Sequence, residues 1–219
     1  MHRSGTSLVA NALSTAGIYC GSSAELMAAR EDNPLGFFER VDVVQLNDDL
    51  LESNGGNWFT PVAINEPFKP EFVERRDEIV RHLSDFQPWL LKDPRMLLTW
   101  PFWQESLQDT VKIYVYREPA AVAHSLRARN QFPLDFGFAL WEHYNRVILE
   151  EISGETFIAV SFEALSQDSS VSLSALLDKV RQAGGDIQEE ELANIFDSQL
   201  DHGSHIAEDM EELLTPAQQ

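Results

Sequence analysis

Apolar positions recur along the chain in two alternating rhythms. From Ser4 to Thr15, small hydroxyl residues around Gly5 precede Leu8, Val9, Ala12 and Leu13 at three- and four-residue spacing, which predicts a helix and its start. The same period predicts helices over Phe38 to Leu51, through Val41, Val44, Leu46, Leu50 and Leu51, and over the more polar stretch Glu71 to Leu83. Between them, Asn54-Gly55-Gly56-Asn57 and three prolines mark a long loop. Strand-like segments follow: the short apolar run Pro88 to Lys92, then Val111 to Tyr116, β-branched and aromatic, ending at Arg117-Glu118-Pro119. Pro119 suits the first turn of a helix running to about Asn130. After Pro133 a longer helix carries Leu140, Trp141, Tyr144, Ile148 and Ile152 on one stripe. Thr156 to Ser161 is a third strand, Val171 to Ala183 a helix closed by Gly184-Gly185, and Glu189 to Phe196 a last acidic helix. Strands separated by helices predict an α/β fold with a central parallel sheet flanked by helices, in which ligands bind where the strands end.

Length and composition narrow this picture. A chain of 219 residues, 43% hydrophobic and 24% charged, is expected to form a single globular domain spanning 1–219. It has no apolar run long enough to cross a bilayer and no signal-peptide core at its start, so a soluble, cytoplasmic protein without a membrane span is expected. One cysteine, Cys20, excludes an intramolecular disulfide and any zinc site built from cysteine clusters. A net charge of −20 argues against nucleic acid or an anionic membrane as a broad-surface partner. Ten acidic and no basic residues lie in 186–219, which reads as a solvated acidic C-terminal segment.

The chemistry-bearing residues come in two groups. His2-Arg3-Ser4-Gly5-Thr6-Ser7 sets a cation, a flexible glycine and hydroxyls where a helix begins, so that free N–H groups, the positive end of the dipole and Arg3 can converge on an anion. The segment lacks the second glycine and the Gly-Lys-Ser/Thr ending of a Walker A loop, which argues against ATP or GTP hydrolysis. Such a turn normally follows a buried strand, so the natural chain is expected to carry a short apolar strand upstream of residue 1. The second group is Arg117 at the end of the best strand with Ser125 in the helix that follows, a pairing suited to a second phosphate.

Together these segments resemble the sulfotransferases that use 3′-phosphoadenosine 5′-phosphosulfate. Arg3-Ser4-Gly5-Thr6-Ser7 is similar to that family's 5′-phosphosulfate loop, and Arg117 with Ser125 to its 3′-phosphate site. Lys92-Asp93-Pro94-Arg95 resembles the Lys-Asp-Pro-Arg block of bacterial members, and Phe162-Glu163-Ala164-Leu165 the family's Tyr-Glu-x-Leu. The likeness runs over residues 1 to about 180. It departs from the cytosolic enzymes in four places: Arg3 replaces a lysine, Leu8 an adenine-stacking aromatic residue, no histidine lies near Pro94, and a late Arg-Lys-Gly loop is missing. A bacterial polysaccharide, glycolipid or secondary-metabolite enzyme is the closer resemblance.

The resemblance implies a three-layer, P-loop-like fold and in-line transfer of a sulfuryl group to a hydroxyl or amine of a carbohydrate, glycolipid or small-molecule acceptor. It assigns Arg3, Ser4, Gly5, Thr6, Ser7, Arg117 and Ser125 to the donor nucleotide. Arg3 and Lys92 would face the departing oxygen, with no metal required, although His202 and His205 beside Glu208 and Asp209 have the spacing of a chelate. Glu39, expected to open the helix after a glycine-proline loop, resembles the glutamate base of sugar sulfotransferases. Asp93 is the rival base, or else pairs with Arg95 to orient Lys92. Trp58 and Phe59 suggest a mobile acceptor-selecting lid, while Trp100, Phe102 and Trp103 read as core and His124 as surface. Two other readings stay open: a different phosphate-handling transferase or kinase, and a non-catalytic nucleotide- or partner-binding remnant.

Overall fold

The computed structural model describes residues 1–30, 33, 36–151 and 157–184. The protein is mixed α/β and mostly helical. Helices α1 (Thr6–Thr15), α2 (Val41–Ser53), α3 (Pro70–Ser84), α4 (Trp100–Trp103), α5 (Pro119–Asn130), α6 (Leu134–Glu151), α7 (Phe162–Gln167) and α8 (Ser169–Gln182) surround strands β1 (Lys112–Tyr116) and β2 (Phe157–Ser161). The two strands pair in parallel, Lys112 opposite Phe157 and Tyr116 opposite Ser161.

Side chains alternate across a strand, and here the alternation sorts two cores. Ile113, Val115, Ile158 and Val160 pack with Val9 and Leu13 of α1, Leu165 of α7 and Leu173 and Leu177 of α8. Tyr114 faces the other way, and its hydroxyl donates to Asn145 Oδ1 of α6. That side leads into the larger core, which joins Leu46 and Leu50 of α2, Leu83 of α3, Phe102 and Trp103 of α4, Leu126 of α5 and Tyr144 of α6. Helices therefore cover both faces of the two-stranded sheet. Pro119 opens α5 as expected, immediately beyond Arg117 at the end of β1. Gly137 lets α6 approach α5 closely: a Cβ there would lie 2.9 Å from Ala123 Cα. The α5 helix and its Ser125 are thereby held against α6, whose Trp141 Nε1 donates to the Arg117 carbonyl at 2.9 Å.

Two expectations need correction. The run Pro88 to Lys92 forms one isolated parallel bridge, between Tyr19 and Trp89, rather than a strand. Pro88 has no N–H to give, and Asp93 at the other end turns the chain by accepting from Arg95 N, so only a short stretch is left to pair. The second helix begins at Val41, not Phe38. Phe38 adopts a left-handed φ of 55°, and the next residues bridge to an earlier segment, Met27 N–H donating to Glu39 O and Val41 N–H to Glu25 O, each at 2.8 Å. The expected helix over Glu189 to Phe196, the acidic segment 186–219, His202 and His205, and Ile152 and Thr156 lie outside the described residues. No described helix is long and apolar enough to cross a membrane.

Candidate anion site at the start of α1

Two left-handed residues, Arg3 at φ 64° and Gly5 at φ 86°, fold the chain into the turn that precedes α1. A non-glycine residue in that region is strained by about 1–3 kcal/mol and persists only where its surroundings fix it. Two contacts fix Arg3 in place. Arg3 Nε donates to Ser125 Oγ at 2.7 Å, and the Arg3 carbonyl accepts from Arg117 Nη1 at 3.2 Å. The α1 helix has no side-chain cap. Leu8 N–H already donates to the Gly5 carbonyl at 3.1 Å, so the N–H groups of Thr6 and Ser7, with the positive end of the dipole, are what this helix start offers an anion.

Phe162 builds the floor of this turn. A Cβ on Gly5 would fall 2.2 Å from Phe162 Cδ2, so the ring lies directly beneath the loop backbone. The Arg117 guanidinium stacks on the same ring at 4.1 Å, a cation–π contact that fixes its plane. Glu163, next in the chain, accepts from Glu118 N at 2.9 Å and from Ser161 Oγ at 3.0 Å, tying the end of β2 to the end of β1. These bonds outweigh burial and hold its carboxyl below the usual range. Burial lowers the Arg117 pKa, Glu163 opposes, and the Arg3 charge adds to the lowering. Arg117 Nε is buried and has no hydrogen-bond partner among the described residues. A buried unpaired donor is rare enough in folded proteins to require an explanation, and a bound acceptor supplies one.

Lys92 enters from the other side. Its ammonium donates to Ser7 Oγ at 3.2 Å, to the Phe37 carbonyl at 2.9 Å and to Glu39 Oε1 at 2.5 Å. Ser7 Oγ also accepts from Asn33 Nδ2 at 3.2 Å. Glu39 lies outside α2, before the N-cap Arg40, so the placement expected for it in a first helical turn is overturned. The left-handed Phe38 and the bridge to Glu25 turn its side chain toward Lys92, 53 residues away. Burial pushes the Glu39 carboxyl up against the pull of Lys92, and pushes the Lys92 ammonium down against the pull of Glu39.

Asp93 has a different place. Its side chain is 0% exposed and accepts from Arg95 N at 2.9 Å, Arg95 Nη1 at 3.0 Å and Asn47 Nδ2 at 2.9 Å. Asn47 in turn accepts from Thr99 and Trp103, and Arg95 Nε reaches Asp48 at 2.6 Å. Three buried donors thus hold the Asp93 carboxylate within its own turn, where it sets the bend that presents Lys92.

Arg3, Ser4, Gly5, Thr6, Ser7, Lys92, Glu39, Arg117 and Ser125 are thus gathered around one helix start, Ser4 buried beneath it. Sequence reasoning gave no site role to Asn33, Asn47 or Trp141, each of which bonds a residue distant in sequence; Phe162 stood within a motif but without a contact. His2 was named only within its motif. It is buried, its ring lies 4.4 Å from that of Trp58, and Nε2 has no partner among the described residues. Burial, then the Arg95 charge, hold it well below the ordinary histidine range. Trp58 packs against the larger core and its carbonyl accepts from Tyr144 Oη at 2.8 Å, an anchored position rather than a mobile lid. Trp100, Phe102 and Trp103 are core, and His124 is exposed. Among the described residues no group of three or more His, Cys, Asp or Glu could hold a metal ion. No family model, curated protein or solved structure matches the chain.

Proposed function

We propose that the protein is a sulfotransferase of the three-layer α/β type, transferring a sulfuryl group from 3′-phosphoadenosine 5′-phosphosulfate to a hydroxyl or amine of a carbohydrate, glycolipid or small-molecule acceptor. One observation carries this reading. Residues read from the sequence as two separate anion sites, the loop at 3–7 and the pair Arg117 and Ser125, are joined by direct hydrogen bonds at the uncapped start of α1. A ligand with anionic groups at both ends of one nucleoside matches that pairing. The orphan Nε of Arg117 adds a donor without an acceptor.

In this reading each residue has a role that its position supports. The α1 N–H groups and Ser7 hold the phosphosulfate end, and Arg117 with Ser125 the distal phosphate. Arg3 and Lys92 face the oxygen on which charge grows as the S–O bond to the phosphate breaks. The new S–O bond forms from the acceptor oxygen, whose proton passes to Glu39; burial raises the affinity of that carboxylate for a proton. Positioning and electrostatics then carry the rate, as in phosphoryl transfer.

Calorimetric binding of adenosine 3′,5′-bisphosphate, beside ATP with Mg²⁺, tests this on wild type and Arg117→Ala. Metal-independent binding weakened at least about tenfold by Arg117→Ala is expected, the size of a charge-assisted hydrogen bond. Preference for ATP with Mg²⁺ would favour a phosphate-handling transferase or kinase instead. Binding without sulfated product over a broad acceptor panel would favour the non-catalytic reading.

A further inference from the structure

Lys92 has three ammonium protons, and each has an acceptor inside the protein: Ser7 Oγ, the Phe37 carbonyl and Glu39 Oε1. To meet a ligand oxygen it must give up one of them. Phe37 offers a main-chain carbonyl fixed by its backbone, and Ser7 belongs to the first turn of α1, where the ligand itself would sit. Glu39 is the partner that can be exchanged. It is the only acceptor of the three that carries a charge, and after losing Lys92 it still has Arg95 Nη1 3.8 Å away on its other oxygen. The pair is also poised for exchange by its burial, the Lys92 and Glu39 side chains being only 9% and 7% exposed. Taking two opposite charges out of water consumes most of their mutual attraction, and in the exchange neither charge is stranded: Lys92 gains the ligand anion and Glu39 keeps Arg95.

We propose that Glu39 serves as the site's own stand-in anion: a ligand anion seated on the first turn of α1 takes Lys92 away from Glu39, and only then is the Glu39 carboxylate available to accept a proton. The inference rests on the anion-site reading above and adds an order to it. The donor must bind before the acceptor can be activated, because Lys92 occupies Glu39 Oε1 and its charge opposes the rise that burial gives the carboxyl. Ser7, in the first turn of α1, is the relay: its hydroxyl accepts from Lys92 and from Asn33, each at 3.2 Å, and donates to the Phe37 carbonyl at 3.4 Å. The exchange also makes Lys92 a sensor of what occupies the loop. A neutral ligand offers it nothing to compensate for the lost carboxylate, so only a charged group on the cradle releases Glu39.

Two measurements on the full chain decide it, with sulfate and adenosine 3′,5′-bisphosphate as probes. In the first, affinity is compared in wild type, Glu39→Gln and Asp48→Asn by calorimetry. Glu39→Gln removes the internal competitor and is expected to tighten both probes about tenfold or more, the size of one charge-assisted hydrogen bond. Asp48→Asn removes an equal charge from Arg95 instead of Lys92 and is expected to change affinity less than about threefold, as general electrostatics at a partly exposed site would. In the second, the side-chain ammonium signals of wild type are followed by NMR during the titration. The chain has only four lysines, so Lys92 is assigned from the signal lost in Lys92→Arg. Its resonance is expected to move with saturation while those of Lys69, Lys112 and Lys179 stay. Equal or weaker binding by folded Glu39→Gln, or a Lys92 signal that stays fixed as wild type saturates, would overturn the exchange and leave the anion site standing. No binding of either probe to wild type or variant would overturn both. If Glu39→Gln does not fold, the wild-type NMR titration decides alone.

Discussion

Replacing Gly5 with alanine tests whether the turn before α1 is built as described, because it strikes the loop, Phe162 and Arg117 together. Two costs add. An L-residue held near the left-handed φ of 86° loses about 1–2 kcal/mol. The new methyl would also stand 2.2 Å from Phe162 Cδ2 and 3.0 Å from Cε2. An ordinary carbon contact is about 3.5–4.0 Å. Phe162 is buried, with Arg117 stacked on it and Leu165 one turn on in the core, so it cannot swing freely into solvent. Overpacking of this kind costs about 1–3 kcal/mol, which brings the expected loss to about 2–5 kcal/mol. Urea unfolding should show it as a lower midpoint at unchanged slope. The same movement displaces the Arg117 plane, so affinity for adenosine 3′,5′-bisphosphate should fall along with stability. The double variant Gly5→Ala with Phe162→Leu separates the two costs, since the narrower side chain relieves the contact but not the backbone strain. It should recover stability to within about 1–2 kcal/mol of Phe162→Leu alone. A Gly5→Ala protein within about 0.5 kcal/mol of wild type would refute the geometry, since that is the range of an indifferent surface change.

Three further outcomes follow from the same contacts. Glu39→Gln should lower turnover by about two orders of magnitude or more, the scale of a lost general base, although nucleotide binding is tightened rather than lost; near-normal turnover would remove Glu39 from that role. Asp93→Ala leaves Arg95 and Asn47 Nδ2 without their buried acceptor and should cost about 3–5 kcal/mol in urea unfolding, whereas a loss under 1 kcal/mol, typical of an exposed pair, would contradict its buried bonding. Glu25 bears on pH. Burial pushes its carboxyl up, but bonds from the Ser22 hydroxyl and N–H, Tyr19 and Arg40 outweigh this and hold it far below its ordinary value of 4.5. A depressed folded-state pKa stabilises the protein above the unfolded value, and that stabilisation drains away as pH falls through and below it. The urea midpoint of wild type should therefore exceed that of Glu25→Gln most at neutral pH, and the gap should close progressively below about pH 4.5. A gap that is constant or widens on acidification would reverse the assigned shift.

Much of the local structure was legible because its causes act within a turn or two of the chain. The apolar spacing of α1, α6 and α8, the proline at the start of α5 and the β-branched run of β1 each specify their element through neighbours three, four or two residues away. The turn before α1 was legible for the same reason: Gly5 and the hydroxyls around it belong to one helix start. Tertiary structure decided the rest. Phe38 to Arg40 leaves the helical pattern because a left-handed residue and a bridge to the Glu25–Met27 segment capture it, and no local spacing records that partner. Pro88 to Lys92 has strand composition but pairs through one bridge, because pairing depends on what lies alongside. Glu39 was the candidate base on paper, with Asp93 as its rival or as a partner of Arg95. Asn47, 46 residues from Asp93, saturates one, and Lys92, 53 residues from Glu39, holds the other in a contact that can be exchanged. Residue type supplied the carboxylates, but burial and partners, fixed only when distant segments pack, set which contacts each one makes.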